Sequence, residues 1–337
     1  MRYRTLGSSG ANVSVLCLGT MMFGGQTSEA EAQRIVGHAH EQGVNFIDTA
    51  NAYAETRSEE VVGRAIEARR DGWVLATKVA NPVGRSGPLD GGLSRIHVLK
   101  AVDDSLRRLQ TDRIDLFYVH KLDPDTAWEQ IVATFGGLIR EGKIREWGLS
   151  NVRSWHIAHV CHLCRQMGVP QPVALQPYYN LMNRQPETEL LPAARFFGLG
   201  VVPYSPIARG VLSGKYQLNV TPGAETRAGR KDRRMMEAEW RPESLEIAAK
   251  IKAHAEAKGI SPIHWAIAWV LNNRAVTSAI AGPRTFAQWE SYLGALDYTW
   301  TPEDEALADS LVALGHPSTP GYNDPSYPIE GRFPEIA

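Results

Sequence analysis

The sequence predicts an α/β fold in which eight parallel strands close into a barrel, and three observations predict it. Short apolar runs alternate with segments of helical periodicity eight times along the chain, and no linker, repeat or low-complexity stretch breaks the alternation. Three successive runs end on polar groups: Val44 to Asp48, Val74 to Val79 with Lys78 near its end, and Ile114 to His120. Strand–helix alternation implies a parallel sheet with right-handed crossovers. Eight such units close into a (β/α)8 barrel, whose C-terminal strand ends share one face. The 337 residues are 43% hydrophobic and 22% charged, and they fit one domain over residues 1–337.

The elements follow in order. Arg2 to Leu6 and Asn12 to Val15, joined by Gly7-Ser8-Ser9-Gly10, read as an N-terminal β-hairpin. Val15 to Gly19 is a continuous apolar run, the signature of a strand buried on both faces. Ser28 caps a helix to about Gln42, with Glu31 three residues on completing a capping box. Gly43 ends that helix and the Asp48 strand begins. A helix over Ser58 to Ala68 precedes the Lys78 strand. Ser94 caps a helix through Leu109, with Ile96, Leu99, Val102 and Leu106 at helical spacing, and the His120 strand follows.

Beyond it come a helix over Thr126 to Glu141, a strand from Ile144 to Leu149 ending in Ser150-Asn151, and a helix from Trp155 to Met167. Val173 to Gln176 is a strand, Pro186 to Phe197 a helix, and Val201 to Ser205 the next strand. Ser261-Pro262 opens a helix to Leu271, Thr277 to Gly282 is the last strand, and Thr285 to Leu293 the last barrel helix. Three segments are extra: the hairpin, the region from Ala208 to Ala257, and a C-terminal helix and tail after Thr301. Within them, Arg227 to Arg234 reads as a mobile charged loop, and Pro317 to Pro334 as an extended cover over one barrel end.

Net charge is −1 and pI about 6.8, which argues against a nucleic-acid or anionic-membrane partner. No apolar run reaches membrane-spanning length, and Met1 to Thr5 lacks the apolar core of a signal peptide, as expected of a cytoplasmic chain. Cys17, Cys161 and Cys164 are too few for a disulfide framework. Cys161-His162-Leu163-Cys164 suggests zinc, but a structural site needs four ligands and no second pair exists; no metal is expected. Trp265 and Trp269, four apart on a helix, read as packing residues, and the side chains of Trp289 and Glu290 as outward-pointing.

Asp48, Tyr53, Lys78 and His120 form a chemical set. Taken singly, a strand-end Asp is a turn residue, a Lys is solvated and a His is structurally satisfied; the joint placement is what points to a site. A phenol has a reference pKa near 10 and is a poor acid at neutral pH. An ammonium beside it stabilises the phenolate, a carboxylate holds the ammonium, and a histidine hydrogen-bonds the substrate oxygen. These are the parts for general-acid chemistry at a carbonyl oxygen. No nucleophilic Ser or Cys motif supplies the attack on carbon, so a hydride-donating cofactor completes the set. Gly-x-Gly-x-x-Gly follows no early strand, which suits a nicotinamide site on a barrel better than one on a doubly wound sheet.

Gly43 to Tyr53, Thr77-Lys78, Asp115 to His120 and Gly148-Leu149-Ser150-Asn151 together resemble the signatures of the aldo-keto reductases, of the bacterial NADP-dependent type, over nearly the whole chain. The resemblance implies a TIM barrel that binds NADPH, with NADH less favoured, and reduces an aldehyde or ketone to the alcohol. Tyr53 would be the proton donor, Lys78 and Asp48 would tune it, and His120 would orient the carbonyl. Ser150, Asn151 and Gln176 would bond the nicotinamide amide, and Tyr204 would stack on its ring. Ser205, Ile207, Arg209, Gly210 and Lys215 match the segment that folds around the pyrophosphate. Gly282, Arg284, Gln288 and Ser291 match the adenosine segment, with Arg284 suited to a 2′-phosphate. Tyr292 departs from the family, which often has Asn there. The same resemblance allows an alternative, a cofactor-binding redox sensor or channel-type regulatory subunit. A metal-dependent barrel hydrolase would need several strand-end histidines, and only His120 is present.

Overall fold

In a computed structural model of the protein, residues 1–84, 87 and 89–328 are described. They fall into two compact units. The first comprises residues 1–178, 189–204 and 271–294, and the second residues 179–188, 205–270 and the chain from 295 on.

The first unit holds the hairpin and the whole barrel. Strands β1 (Tyr3–Thr5) and β2 (Asn12–Ser14) pair antiparallel. The barrel strands are β3 (Leu16–Gly19), β4 (Phe46–Asp48), β5 (Val74–Val79), β6 (Ile114–Val119), β7 (Ile144–Ser150), β8 (Ala174–Gln176), β9 (Gly200–Val201) and β10 (Ala279–Ala281). They pair in parallel in chain order from β3 to β9, with β10 beside β3. The ring closes where the Thr277 N–H donates to Val201 O at 2.7 Å and the Ile280 N–H to Pro203 O at 3.0 Å. Helices Glu29–Glu41, Arg57–Ile66, Arg95–Leu109, Trp128–Arg140, Ser154–Met167, Leu190–Phe196 and Phe286–Leu293 belong to the same unit. Leu6, Val13, Cys17, Phe46, Ala76, Leu116, Tyr118, Val173, Ala174, Val202 and Ile280 form its inner core.

Caps set the helix starts as read: the Ser28 and Ser94 hydroxyls accept the N–H groups of Glu31 and His97. Other expectations are corrected. Glu31 turns Oε1 to the Phe286 N–H at 2.6 Å, so it ties the first helix to the last barrel helix. Ile96 is 66% exposed; the helix buries Val102 as read, but with Val98, Ala101 and Leu109 in place of the rest of the expected stripe. The helix expected over Pro186 to Phe197 is split into a 3-10 turn at Gln185–Glu187 and a helix at Leu190–Phe196. Strand β9 is cut to two residues: Val202 and Tyr204 still donate to Leu175 O and Pro177 O, but Pro177 has no N–H to return to the ladder. Trp289 is fully buried rather than outward-pointing.

The second unit contains the helices Arg233–Ala238, Pro242–Ala257, Pro262–Asn272 as far as Val270, and the extra C-terminal helix Pro302–Leu311. Asp304 is its hub: the carboxylate accepts from Trp265, Lys258, Tyr298 and Thr301 and contacts His254. Trp265 and Trp269 are packing residues, as read. Arg234 is not in a free loop. It makes a bidentate pair with Asp324, and Arg241 binds Ser318 and Thr319, so the tail is fastened within this unit as far as Tyr327. The stretch 329–334, read as part of a cover, lies outside the described residues.

The hairpin turn seals the N-terminal end of the barrel strands. Gly7 has φ +52°, and a Cβ there would lie 2.2 Å from Val173 O and 2.6 Å from Gly200 N. Gly7→Ala should therefore cost about 2–4 kcal/mol through backbone overpacking and left-handed strain. Urea unfolding read by tryptophan fluorescence would show it as a lowered midpoint.

Candidate active site

Side chains alternate in direction along a strand, so a residue two beyond an inward-facing one also faces inward. Asp48 follows Phe46, Lys78 follows Ala76, His120 follows Tyr118, Gln176 follows Ala174, and Tyr204 follows Val202, each by two. The strand register sets the rest: Asp48 lies opposite Ala76, and Lys78 opposite Tyr118. The pattern that fills the core therefore delivers these polar groups to its C-terminal rim.

Lys78 is fully buried and its ammonium has three partners. It pairs with the Asp48 carboxylate, donates to Thr49 O at 2.6 Å, and reaches the Tyr53 hydroxyl at 3.3 Å. Gln176 Nε2 donates to the other Asp48 oxygen at 2.9 Å. Burial alone would lower the lysine pKa, but the Asp48 charge and the Tyr53 oxygen outweigh it and hold the value above that of an ordinary lysine. Burial pushes the Asp48 carboxyl up, with Lys78 and Gln176 pulling it back. The Tyr53 and His120 rings meet edge to face, 5.9 Å apart at 80°. Burial, then the charges of Lys78 and Lys121, hold the His120 pKa well below the usual 6.5, so the ring is neutral at pH 7.

Several supporting groups had no sequence signal. The Ser58 hydroxyl contacts Thr49 Oγ1 at 2.9 Å and donates to Thr20 O at 2.8 Å, and Thr20 Oγ1 donates to Asp48 O at 3.0 Å. This buried hydroxyl cluster holds the Asp48 carbonyl and the Thr49 side chain, next to the Thr49 carbonyl that takes the Lys78 ammonium. On the outer face of β5, Thr77 donates to Glu59 at 2.6 Å, and Arg108 donates to the same carboxylate at 2.7 Å. After Tyr53, three residues without glycine's freedom take left-handed backbone: Ala54 at φ +49°, Glu55 at +56° and Thr56 at +79°. Such strain persists only where the surroundings enforce it, and here it sets the path of the Tyr53 loop.

Comparison with known proteins gives a consistent result. The aldo/keto reductase family pattern matches residues 15–313. The chain belongs to the aldo/keto reductase family. It is 36% identical over 315 residues to the uncharacterized oxidoreductase YrpG of Bacillus subtilis (strain 168), covering 90% of this chain and 93% of that one. It is 34% identical over 302 residues to a protein of Arabidopsis thaliana named a probable voltage-gated potassium channel subunit beta, covering 88% and 92%. A protein of the same name from Oryza sativa subsp. japonica is 34% identical over 321 residues, covering 93% and 96%. The protein is thus an oxidoreductase of this family, whose members generally use nicotinamide cofactors.

In this aldo/keto reductase the remaining predicted positions lie as follows. Ser150 donates to Gln176 O at 2.8 Å. Asn151, at φ +57°, donates to His120 O at 2.8 Å and accepts from the Tyr204 hydroxyl at 2.9 Å. Tyr204 stacks on Tyr178, 5.6 Å apart at 25°, so its ring is a fixed plane suited to a flat heteroaromatic ring. Arg284 donates its N–H to Gln288 Oε1 and accepts from Thr27 at its carbonyl, both at 2.8 Å. Gly282 precedes the helix Phe286–Leu293, and Ser291 lies in its last turn. Within the second unit, Ser205, Arg209 and Gly210 have φ of +59°, +50° and +101°. Arg209 Nε is buried with no hydrogen-bond partner among the described residues, and a Cβ on Gly210 would come within 3.3 Å of Lys215 Nζ. A turn in left-handed backbone, with a glycine that lets an ammonium approach and a guanidinium nitrogen in want of an acceptor, suits a phosphate. Ile207 lies at the start of that turn.

Lys78→Met should cost about 3–5 kcal/mol, because it leaves the Asp48 carboxylate buried without its cation. The double variant Lys78→Met/Asp48→Asn removes that charge and should regain much of the loss. Urea titrations of both variants check the order of their midpoints.

Proposed function

We propose that the protein catalyses the reversible NADPH-dependent reduction of an aldehyde or ketone to the alcohol, with Tyr53 as proton donor. The observation that carries this reading is the buried Lys78 ammonium, which touches the Asp48 carboxylate and the Tyr53 hydroxyl at once. When bound, the reduced nicotinamide supplies a hydride to the carbonyl carbon. Tyr53 gives its proton to the carbonyl oxygen, and the ammonium 3.3 Å away stabilises the phenolate that remains. Asp48 keeps the ammonium charged and in place. His120, neutral beside Tyr53, hydrogen-bonds the same carbonyl oxygen and orients it.

On this reading Ser150, Asn151 and Gln176 bind the carboxamide of the cofactor and Tyr204 packs on its ring. Ser205, Ile207, Arg209, Gly210 and Lys215 hold the pyrophosphate, and Gly282, Arg284, Gln288 and Ser291 the adenosine end. The substrate is a small molecule and the setting the cytoplasm, in keeping with three cysteines that are all buried free thiols. A second reading, a cofactor-binding regulatory subunit on the same fold, draws support from the names of the two plant relatives. A panel of aldehydes and ketones followed at the nicotinamide absorbance separates the two: NADPH binding without turnover favours the regulator.

Tyr53→Phe should lower kcat by about 10²–10⁴-fold, the range for a lost general acid, with the NADPH dissociation constant near that of the wild type. An unchanged kcat would remove Tyr53 as donor. Arg284→Ala should weaken NADPH binding far more than NADH binding. Fluorescence titration with each cofactor measures this, and equal losses would remove Arg284 as the reader of the 2′-phosphate.

A further inference from the structure

The backbone just beyond β5 carries an anomaly. Ala80, fully buried, has φ +129°, a conformation that costs an alanine energy. Its carbonyl is held by the Gly92 N–H at 2.9 Å. The effect of this turn is to bring the next side chain across to the neighbouring strand end: Asn81 Nδ2 lies 3.0 Å from His120 Nδ1. The rest of His120 is fixed independently, by its own N–H donating to Val79 O at 2.9 Å and by Asn151 donating to His120 O at 2.8 Å. The ring thus has one adjustable property left, the nitrogen that carries its proton.

An amide NH2 only donates, and a neutral imidazole has one donor and one acceptor nitrogen. We propose that Asn81 is a positioning residue that holds His120 as the Nε2–H tautomer, by donating to Nδ1, so that Nε2 always offers a hydrogen to the substrate oxygen. This inference rests on the carbonyl-reductase reading and deepens it. Among the described residues, the titratable and charged groups that face His120 are Tyr53, Lys78 and Lys121. None of them offers Nδ1 a carboxylate, and a neutral amide fixes the tautomer without adding a charge that would make the ring an imidazolium.

The substitution that inverts the contact is Asn81→Asp, of equal size. A carboxylate there accepts from Nδ1–H and stabilises the imidazolium, raising the His120 pKa. Below that pKa both nitrogens carry hydrogen and Nε2 still donates. Above it the remaining proton sits on Nδ1 and Nε2 has none. The variant should therefore keep its activity in acid and lose kcat/KM by about 10²-fold as pH rises through the His120 pKa, the scale of one lost oxyanion donor. Wild type should show no break from this group, and the NADPH dissociation constant should be alike in both proteins.

Independently of turnover, 15N NMR of histidine-labelled protein reads the tautomer, with His120 assigned by its loss in His120→Gln. A protonated Nε2 with an unprotonated Nδ1 in wild type, reversed in Asn81→Asp at high pH, is the expected result. A protonated Nδ1 in the wild type, or a loss in Asn81→Asp that is the same at every pH, would overturn the assignment. Because the spectrum is read on the resting protein, it decides the tautomer even if no carbonyl is reduced.

Discussion

An ammonium shut away from water must be paired, and the Lys78–Asp48 pair is the constraint on which the rim of the barrel depends. Each charge alone in that place would be too costly to keep. Together they require β4 and β5 to stand in one register, since only the offset that puts Asp48 opposite Ala76 brings the next inward residue of β5 to the carboxylate. The pair also sets the electrostatic field at the Tyr53 hydroxyl. A hydrophobic pair of similar volume could serve stability as well or better. Its retention is what the chemistry asks for, and the protein supports it with otherwise unnecessary polar contacts: Thr49 O and Gln176 directly, Ser58 and Thr20 one step behind, and Glu59 from the outer face of the sheet.

Rigidity and strain are placed together. The strands hold Asp48, Lys78 and His120 with little freedom, while Tyr53 and Asn81 sit on segments whose backbones leave the ordinary regions at Ala54, Glu55, Thr56 and Ala80. These segments do what a strand cannot: they carry a side chain sideways, across the rim, toward a neighbour. Ala80 is buried, while Ala54, Glu55 and Thr56 are half-buried or exposed; burial at the rim also keeps the His120 ring neutral.

Much of this was legible in the chain because a strand has a period of two. Once Phe46, Ala76 and Tyr118 are read as core, Asp48, Lys78 and His120 must point the same way, whatever the precise strand limits. Helix starts at Ser28, Ser94 and Thr285 were legible for a similar reason, since the hydroxyl acts within its own turn. What escaped depends on partners far along the chain. Glu31 looks like half of a local capping box, yet it bonds Phe286. Ile96 fits a helical stripe but lies just off the face that packs. The hold of Thr49 on Lys78 is made by a backbone carbonyl, which every residue has, so no residue type could announce it. Asn81 was visible only as the start of a loop, because its reach to His120 is decided by one torsion angle at Ala80.

The hairpin at the N-terminal end of the barrel has a kinetic consequence. Its turn packs against Gly200, and Arg4 bonds the carbonyls of Leu271 and Val276, 267 and 272 positions further along the chain. At roughly 5–20 residues per second of synthesis, some 10 to 50 s separate the emergence of the two. Over that interval the nascent chain must carry an unsealed ring, with apolar Leu6 and Val13 waiting for surfaces not yet translated. Pairing at such sequence separation slows folding as well, and the seal is therefore the natural last step, after every strand of the sheet is in hand.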